Sequence, residues 1–206
     1  MAKIKLTKTE LKAQSDALKR FLRFLPMLQL KKQQLQAEIA GIAAKWASIH
    51  DKERDERAAL DRWVQLFPTD AALVENLVTV KNIATSTSNI AGVPIPVFDG
   101  IETETKELDL WATPPWLDDA VAAATKILSL QCERIILDRQ RELVMRELQT
   151  TSQRVNLFEK VKIPECRENI RVIKIAIGDE QTAAVTRGKI AKSRSKGAED
   201  DLEEVA

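Results

Sequence analysis

Few residues in this 206-residue chain could carry chemistry, and none stands in a pattern that would use it. His50 is the one histidine. It follows Ile49 in a charged stretch with no matched nucleophile, so it reads as a surface side chain and not as a general base. The two cysteines, Cys132 and Cys166, fall in one expected helix and cannot build a disulfide framework. Reduced thiols fit an intracellular setting. One imidazole and two scattered thiols do not make a zinc site. Gly188-Lys189 lacks the upstream glycines of a phosphate-binding loop. Asp118-Asp119 and Glu203-Glu204 pair carboxylates only on paper, since helix-start charge and a solvated end explain them. The expectation is a chain with no catalytic residue, no metal ligand and no cofactor, hence not an enzyme.

With no chemistry to position, the elements themselves become the subject. The chain has no Tyr, six Gly, 4% aromatic, 44% apolar and 31% charged residues. A round core draws on aromatics and Gly turns, whereas this composition leans on strong helix formers. It argues against a Gly-rich nucleotide-binding α/β enzyme and against a β-sandwich. No run approaches a membrane span, and Met1–Lys5 lacks the apolar stretch of a secretory signal.

The expected fold is all-α: a long antiparallel two-helix coiled coil with a short β-hairpin or loop and minor helices at its closed end. The first long helix covers 1–67, with Thr7 and Glu10 as a capping box. Leu35, Ile39, Ile42, Trp46, Ile49, then polar Glu53 and Glu56, then Leu60, Trp63 and Phe67 alternate four and three, the step of a coiled-coil seam. Leu18, Leu22, Leu25 and Leu28 extend the stripe upstream, and Pro26 within it predicts a kink. Residues 68–115 form the closed end. Ala71 to about Asn82 reads as a short helix, Thr85–Asn89 as a breaker cluster, Ile90–Phe98 as an edge hairpin or loop, and Asp99-Gly100 as a turn. A second long helix over 116–186 carries Leu117, Val121, Ala124 and Leu128, then Ile163, Cys166, Ile170, Ile173 and Ile177. Its stretch from Asp138 to Asn156 is polar where a seam needs apolar residues. Residues 187–206 read as a charged, disordered tail. Folding back near Ile95 would set Pro26 and Pro164 at similar height.

The net charge of +1 conceals blocks. Residues 1–35 hold nine basic and two acidic side chains, 99–120 one and seven, and 187–197 five and none. A folded-back chain would then be basic where its ends meet and acidic at the turn. The basic end interleaves only Phe21 and Phe24, a poor match to nucleic-acid surfaces, so an acidic protein partner fits that end at least as well as a nucleic acid.

One stretch is distinctive. Thr151, Ser152, Arg154, Val155, Asn156, Glu159, Ile163 and Pro164 make a Thr-Ser-x-Arg-Val-Asn-x-x-Glu-x-x-x-Ile-Pro run that resembles the D subunit of the V-type/A-type rotary ATPases. The start, Leu6-Thr7-Lys8 with Leu11 and then Leu28-x-x-Lys31-Lys32-x-x-Leu35, is similar to that family, as is the loop Asn89–Pro96. Gln33 or Gln34 stands where the resembled family has an acidic residue, and Pro26 where it usually keeps an unbroken helix. The resemblance implies a central-stalk rotor subunit, peripheral to a membrane on its cytoplasmic side. Such a subunit couples ATP hydrolysis or synthesis in a hexamer of A and B subunits to ion translocation. Implied partners are those A and B catalytic subunits, the F subunit of the stalk and a funnel-shaped subunit above the membrane ring, with no direct nucleic acid and no membrane insertion. Expected contacts with the hexamer are Lys3, Lys5, Lys8, Lys12, Arg20, Arg23, Lys31, Lys32, Arg187 and Lys189. Expected contacts at the stalk and its socket are Asn89, Ile90, Val93, Ile95, Val97, Trp111 and Trp116. The competing readings are a coiled-coil scaffold or tether without motor role, and a nucleic-acid-associated coiled coil.

Overall fold

The structure is a computed structural model that describes residues 4–64, 78–105 and 116–203. Helix α1 runs Lys8–Val64, strands β1 and β2 run Val78–Ile90 and Val93–Thr105, and helix α2 runs Leu117–Leu157. A π-helical turn, Phe158–Lys162, joins α2 to helix α3, Ile163–Glu203. Mostly helical architecture with one antiparallel hairpin follows from the composition: straight-chain helix formers dominate, and β-branched residues concentrate between 78 and 105.

Thr7 starts α1 as expected, its Oγ1 accepting the Glu10 backbone N–H at 3.3 Å. The helix continues through Pro26. Asp118 and Asp119 fill the first turn of α2, where carboxylates complement the exposed N–H groups.

The chain divides into two compact units, Leu30–Ser152 and Met1–Gln29 with Gln153–Ala206. In the first, Leu35, Ile42 and Ile49 of α1, Leu137 and Val144 of α2 and Ile95 of β2 form one buried cluster. Leu35 and Val144 are fully buried, each such side chain contributing about 1.5–3 kcal/mol. Cross-helix pairs run in opposite order along the two helices. Lys31 meets Glu147 at 2.7 Å, Glu53 meets Gln131 at 3.2 Å, and Glu56 meets Lys126. The polar positions Glu53 and Glu56 in the α1 stripe are therefore matched by polar partners on α2. The polar stretch of α2 also keeps a narrow buried stripe, Leu137, Gln140, Val144, Thr151 and Val155. Its steps are three, four, seven and four, multiples of a helical repeat that keep these side chains on one face although Leu143, Met145 and Leu148 also lie in the stretch.

In the second unit Phe21 packs on Phe158, ring centroids 5.0 Å apart, and Asn169 Nδ2 donates to Gln14 Oε1 at 3.4 Å. Val155, Ile163, Cys166 and Ile173 are buried. Here the inner stripe of α1 includes Phe21 and not Leu22, which is exposed. Pro26 lies five residues beyond Phe21 and Pro164 six beyond Phe158, on helices running in opposite order. The two prolines therefore lie well apart in height and are not matched breaks. Pro164 explains the π turn. It has no N–H for the Lys160 carbonyl, and the preceding Ile163 N–H bonds back five residues to Phe158 O.

Several expectations are corrected. Val78–Asn82 is strand and not helix, and Thr85–Asn89 belongs to β1 and does not break structure. Thr79, Val80, Thr85 and Thr87 are β-branched and find a full partner strand, which outweighs the turn tendency of Ser and Asn. Asp99-Gly100 is not a turn: both lie within β2, where Asp99 is an extra residue between the Ala84–Gly100 and Thr85–Phe98 pairs. Residues 187–203, expected as a disordered tail, are helical in α3. That segment is a basic block followed by an acidic one and contains no proline, so no residue in it blocks a helix already begun. Expectations for 65–77 and 106–115 lie outside the described residues.

Candidate partner-binding surfaces

The hairpin turn is Ile90-Ala91-Gly92-Val93. Ala91 and Gly92 have φ of 50° and 87°, a type I′ turn whose twist matches paired strands. Asn89 Oδ1 accepts the Gly92 N–H at 2.8 Å, closing the turn. The two-residue loop fixes the register: Ile90 pairs with Val93, Ser88 with Ile95 and Ser86 with Val97. Those pairs exchange backbone bonds, while Asn89–Pro94, Thr87–Pro96 and Thr85–Phe98 do not. Alternation puts Ile90, Ser88, Val93, Ile95 and Val97 on one face, and that face meets the helices through Ile95, Ile90 and Val93. A buried hydrogen bond anchors the hairpin: Gln140 Nε2 donates to Pro96 O at 2.5 Å.

Of the expected socket contacts, Ile95 is only 3% exposed and is spent on the core. Ile90, Val93 and Val97 are half-buried, and Asn89 is exposed at the tip. Trp116 is half-buried just ahead of α2, and Trp111 lies outside the described residues.

The expected hexamer contacts divide likewise. Lys5, Lys8, Lys12, Arg20, Arg23, Arg187 and Lys189 are exposed and belong to the unit that holds both chain ends. Lys3 lies outside the described residues. Lys31 pairs with Glu147 at 2.7 Å, and both Lys31 and Lys32 are half-buried. The unit with both chain ends carries 18 basic and 12 acidic residues, net +6, and the hairpin unit 14 and 19, net −5. From Gly178 to Arg194 every side chain of α3 is exposed, including Val185 and Ile190. On α2, Ile135 and Met145 are 60% and 48% exposed, flanking the ion-paired Arg139, Glu142 and Arg146. These exposed apolar positions were missed, because in sequence they are indistinguishable from seam residues.

Glu53 is the one buried carboxylate among the described residues. Its Oε1 accepts Arg57 Nε and Nη2 at 3.1 and 2.9 Å and Gln131 Nε2 at 3.2 Å, and its Oε2 lies 3.4 Å from Arg134 Nε. Burial alone would raise its pKa. The hydrogen bonds of Gln131 and Arg57 and the charges of Arg134 and Arg57 outweigh that and hold it below the ordinary value. His50 is exposed and stacks on Trp46 at 5.1 Å. Burial pushes the Cys132 and Cys166 thiols up, which keeps them protonated and poorly nucleophilic. Among the described residues no group of His, Cys, Asp and Glu could hold a metal, and no helix is long and apolar enough to cross a membrane.

What stands out among the described residues is exposed basic charge in the unit with both chain ends, exposed apolar side chains on α2 and α3, and the hairpin tip. The family model described as the ATP synthase D subunit matches residues 10–193. A V-type ATP synthase D subunit of Borreliella burgdorferi is 47% identical over 193 residues, 94% of this chain and 95% of the relative. Proteins of the same name from Chlamydia trachomatis and Chlamydia muridarum are 32% and 30% identical over 201 and 195 residues, in each case 94% of this chain and 96% of the relative. On that evidence the chain belongs to the ATP synthase D subunit family.

Proposed function

We propose that this chain is the central-stalk rotor subunit of a V/A-type ATPase, a non-catalytic subunit coupling the A/B hexamer to ion translocation by the membrane ring. The observation that carries the reading is the family match across 10–193, with a relative 47% identical over nearly its whole length. The hexamer does the nucleotide chemistry, and this chain transmits torque as an antiparallel coiled coil of α1 with α2 and α3. Two supercoiled helices are stiffer than one, and the α1 stripe with its matched polar positions supports such pairing. A shaft must present a different face to each catalytic site. Contacts that differ in free energy among three chemically equal sites bias them into different states.

The basic unit is the part that enters the hexamer, its exposed Lys5, Lys8, Lys12, Arg20, Arg23, Arg187 and Lys189 facing an acidic lining. A helical stretch like residues 178–194 of α3, exposed throughout and with Val185 and Ile190 bare, is marginal in water on its own. It gains by entering a sleeve. The hairpin unit serves the stalk end, with the F subunit and the funnel-shaped subunit as neighbours, and the whole is peripheral to the cytoplasmic side of the membrane.

The test is reconstitution with the A and B subunits of the same organism, with ATP turnover measured for the native chain and for Arg20→Glu/Arg23→Glu. Both arginines are exposed, so the fold is retained, and coupled turnover should fall about tenfold, as befits two lost charge contacts. Native turnover in the double variant would remove the basic unit from the hexamer contact. Lys31 is unsuited to this test, because its reversal breaks the pair with Glu147.

A further inference from the structure

The two edges of the hairpin are not equivalent. In the non-bonded pairs Asn89–Pro94 and Thr87–Pro96, the backbone groups of both members point away from the ladder. On β2 those positions are Pro94 and Pro96, which have no N–H, and the Pro96 carbonyl is taken by Gln140. The β2 edge is therefore closed to strand addition at Pro94 and Pro96. On β1 the matching positions are Asn89 and Thr87, and Thr85, opposite Phe98, is the next of the same kind. Their backbone N–H and C=O groups point outward, β1 contains no proline, and its residues from Lys81 to Asn89 are exposed. Among the described residues nothing pairs with this edge.

Beneath the same hairpin lies a cleft of about 460 Å³. Ile42, Ile95 and Leu137 give it an apolar floor, Ser88 and Ile90 of β1 reach into its wall, and Gly41 borders it with nothing within 4 Å of where a Cβ would stand. A strand added to β1 would turn alternate side chains toward this cleft. Glu38, Glu133 and Lys45 line the same cleft, and Asp99 and Glu102 are exposed on the neighbouring strand. The hairpin unit as a whole is net −5.

We infer that the free edge of β1, Thr85–Asn89, is a strand-addition site for an extended segment of another subunit, apolar at alternate positions and carrying Lys or Arg between them. Main-chain bonds to Thr85, Thr87 and Asn89 supply affinity, and the cleft and the acidic surroundings supply selectivity. A second copy of this chain is the poorer occupant, because pairing β1 with β1 brings together two units of the same net charge. The inference rests on the stalk reading only for who supplies the strand.

Amide hydrogen exchange tests it on the full chain, free and assembled with the A, B, F and funnel-shaped subunits. In the assembly the Thr85, Thr87 and Asn89 amides should slow about tenfold or more. Thr87→Pro leaves the bonded pairs at Ser86 and Ser88 intact, so their amides stay protected, yet Thr85 and Asn89 should lose the gain. Gly41→Leu, which fills the cleft from a position with room, should lose it too. Equal exchange at Thr85 and Asn89 with and without the partners overturns the inference, and so does protection in the free chain that grows with its concentration. Failure to assemble would instead count against the stalk reading. The edge is then decided by an eight-residue peptide alternating lysine and valine, which should slow the three amides where its glutamate–valine counterpart does not. Equal effects of the two peptides, or none, overturn it.

Discussion

Glu53 shows how much a single side chain can settle. In a repeat of Leu, Ile and Trp it looks like a defect, yet it is buried and receives bonds from both helices. Removing it strands Arg134 and Gln131 at a buried site, which costs about 1–3 kcal/mol. Its pKa lies below the ordinary 4.5, so the folded state favours the ionised form. The stabilisation is then complete above pH 4.5 and is lost as pH falls toward the depressed value. Glu53→Gln should melt below the native protein at pH 7, and the gap should close in scans below pH 4.5. A gap that stays constant with pH would mean that shape and not charge is at stake. The two cysteines point the other way. Their thiols are buried with raised pKa, so they are packing residues and leave exposed positions open to selective labelling.

At the scale of elements, the long helices and the α1 stripe from Leu35 to Ile49 were legible, because 3.6-residue periodicity survives any context. The β-hairpin was half legible. Gly92 and the two prolines marked its tip, but a Thr-Ser-Thr-Ser-Asn run does not reveal a strand until its partner is known. The buried stripe through Asp138–Asn156 was hidden by the charges around it, and Leu22 was preferred to Phe21 since either fits the spacing locally. Of the candidate surface, the exposed basic residues were readable as charge. The burial of Ile95 and the pairing of Lys31 were not, because both depend on residues more than forty positions away. The π turn belongs to this scale as well. Pro164 costs the helix a hydrogen bond, and the wide turn accommodates it. Pro164→Ala should restore a regular turn and raise stability by about 1–3 kcal/mol, since proline inside a helix is about 3 kcal/mol worse than alanine. Thermal unfolding checks this, and a lower melting temperature would mean that packing around Phe158 holds the wide turn in place independently of Pro164.

For the whole molecule, charge segregation is the organising fact: net +6 in the unit that includes both terminal stretches and net −5 in the unit that includes the hairpin. Two oppositely charged units suit two different environments, a catalytic sleeve and a stalk socket, better than they suit a uniform tether. A scaffold without motor role would explain the helices but not the family match across 10–193. The decisive measurement attaches a bead through Asn82→Cys, exposed on the hairpin, with the chain reconstituted into an A/B hexamer and watched during ATP turnover. A rotor subunit should be present at one copy per hexamer and turn the bead in one direction, stopping when ATP is withdrawn. A bead that stays fixed while ATP is consumed, or several copies per hexamer, would contradict it.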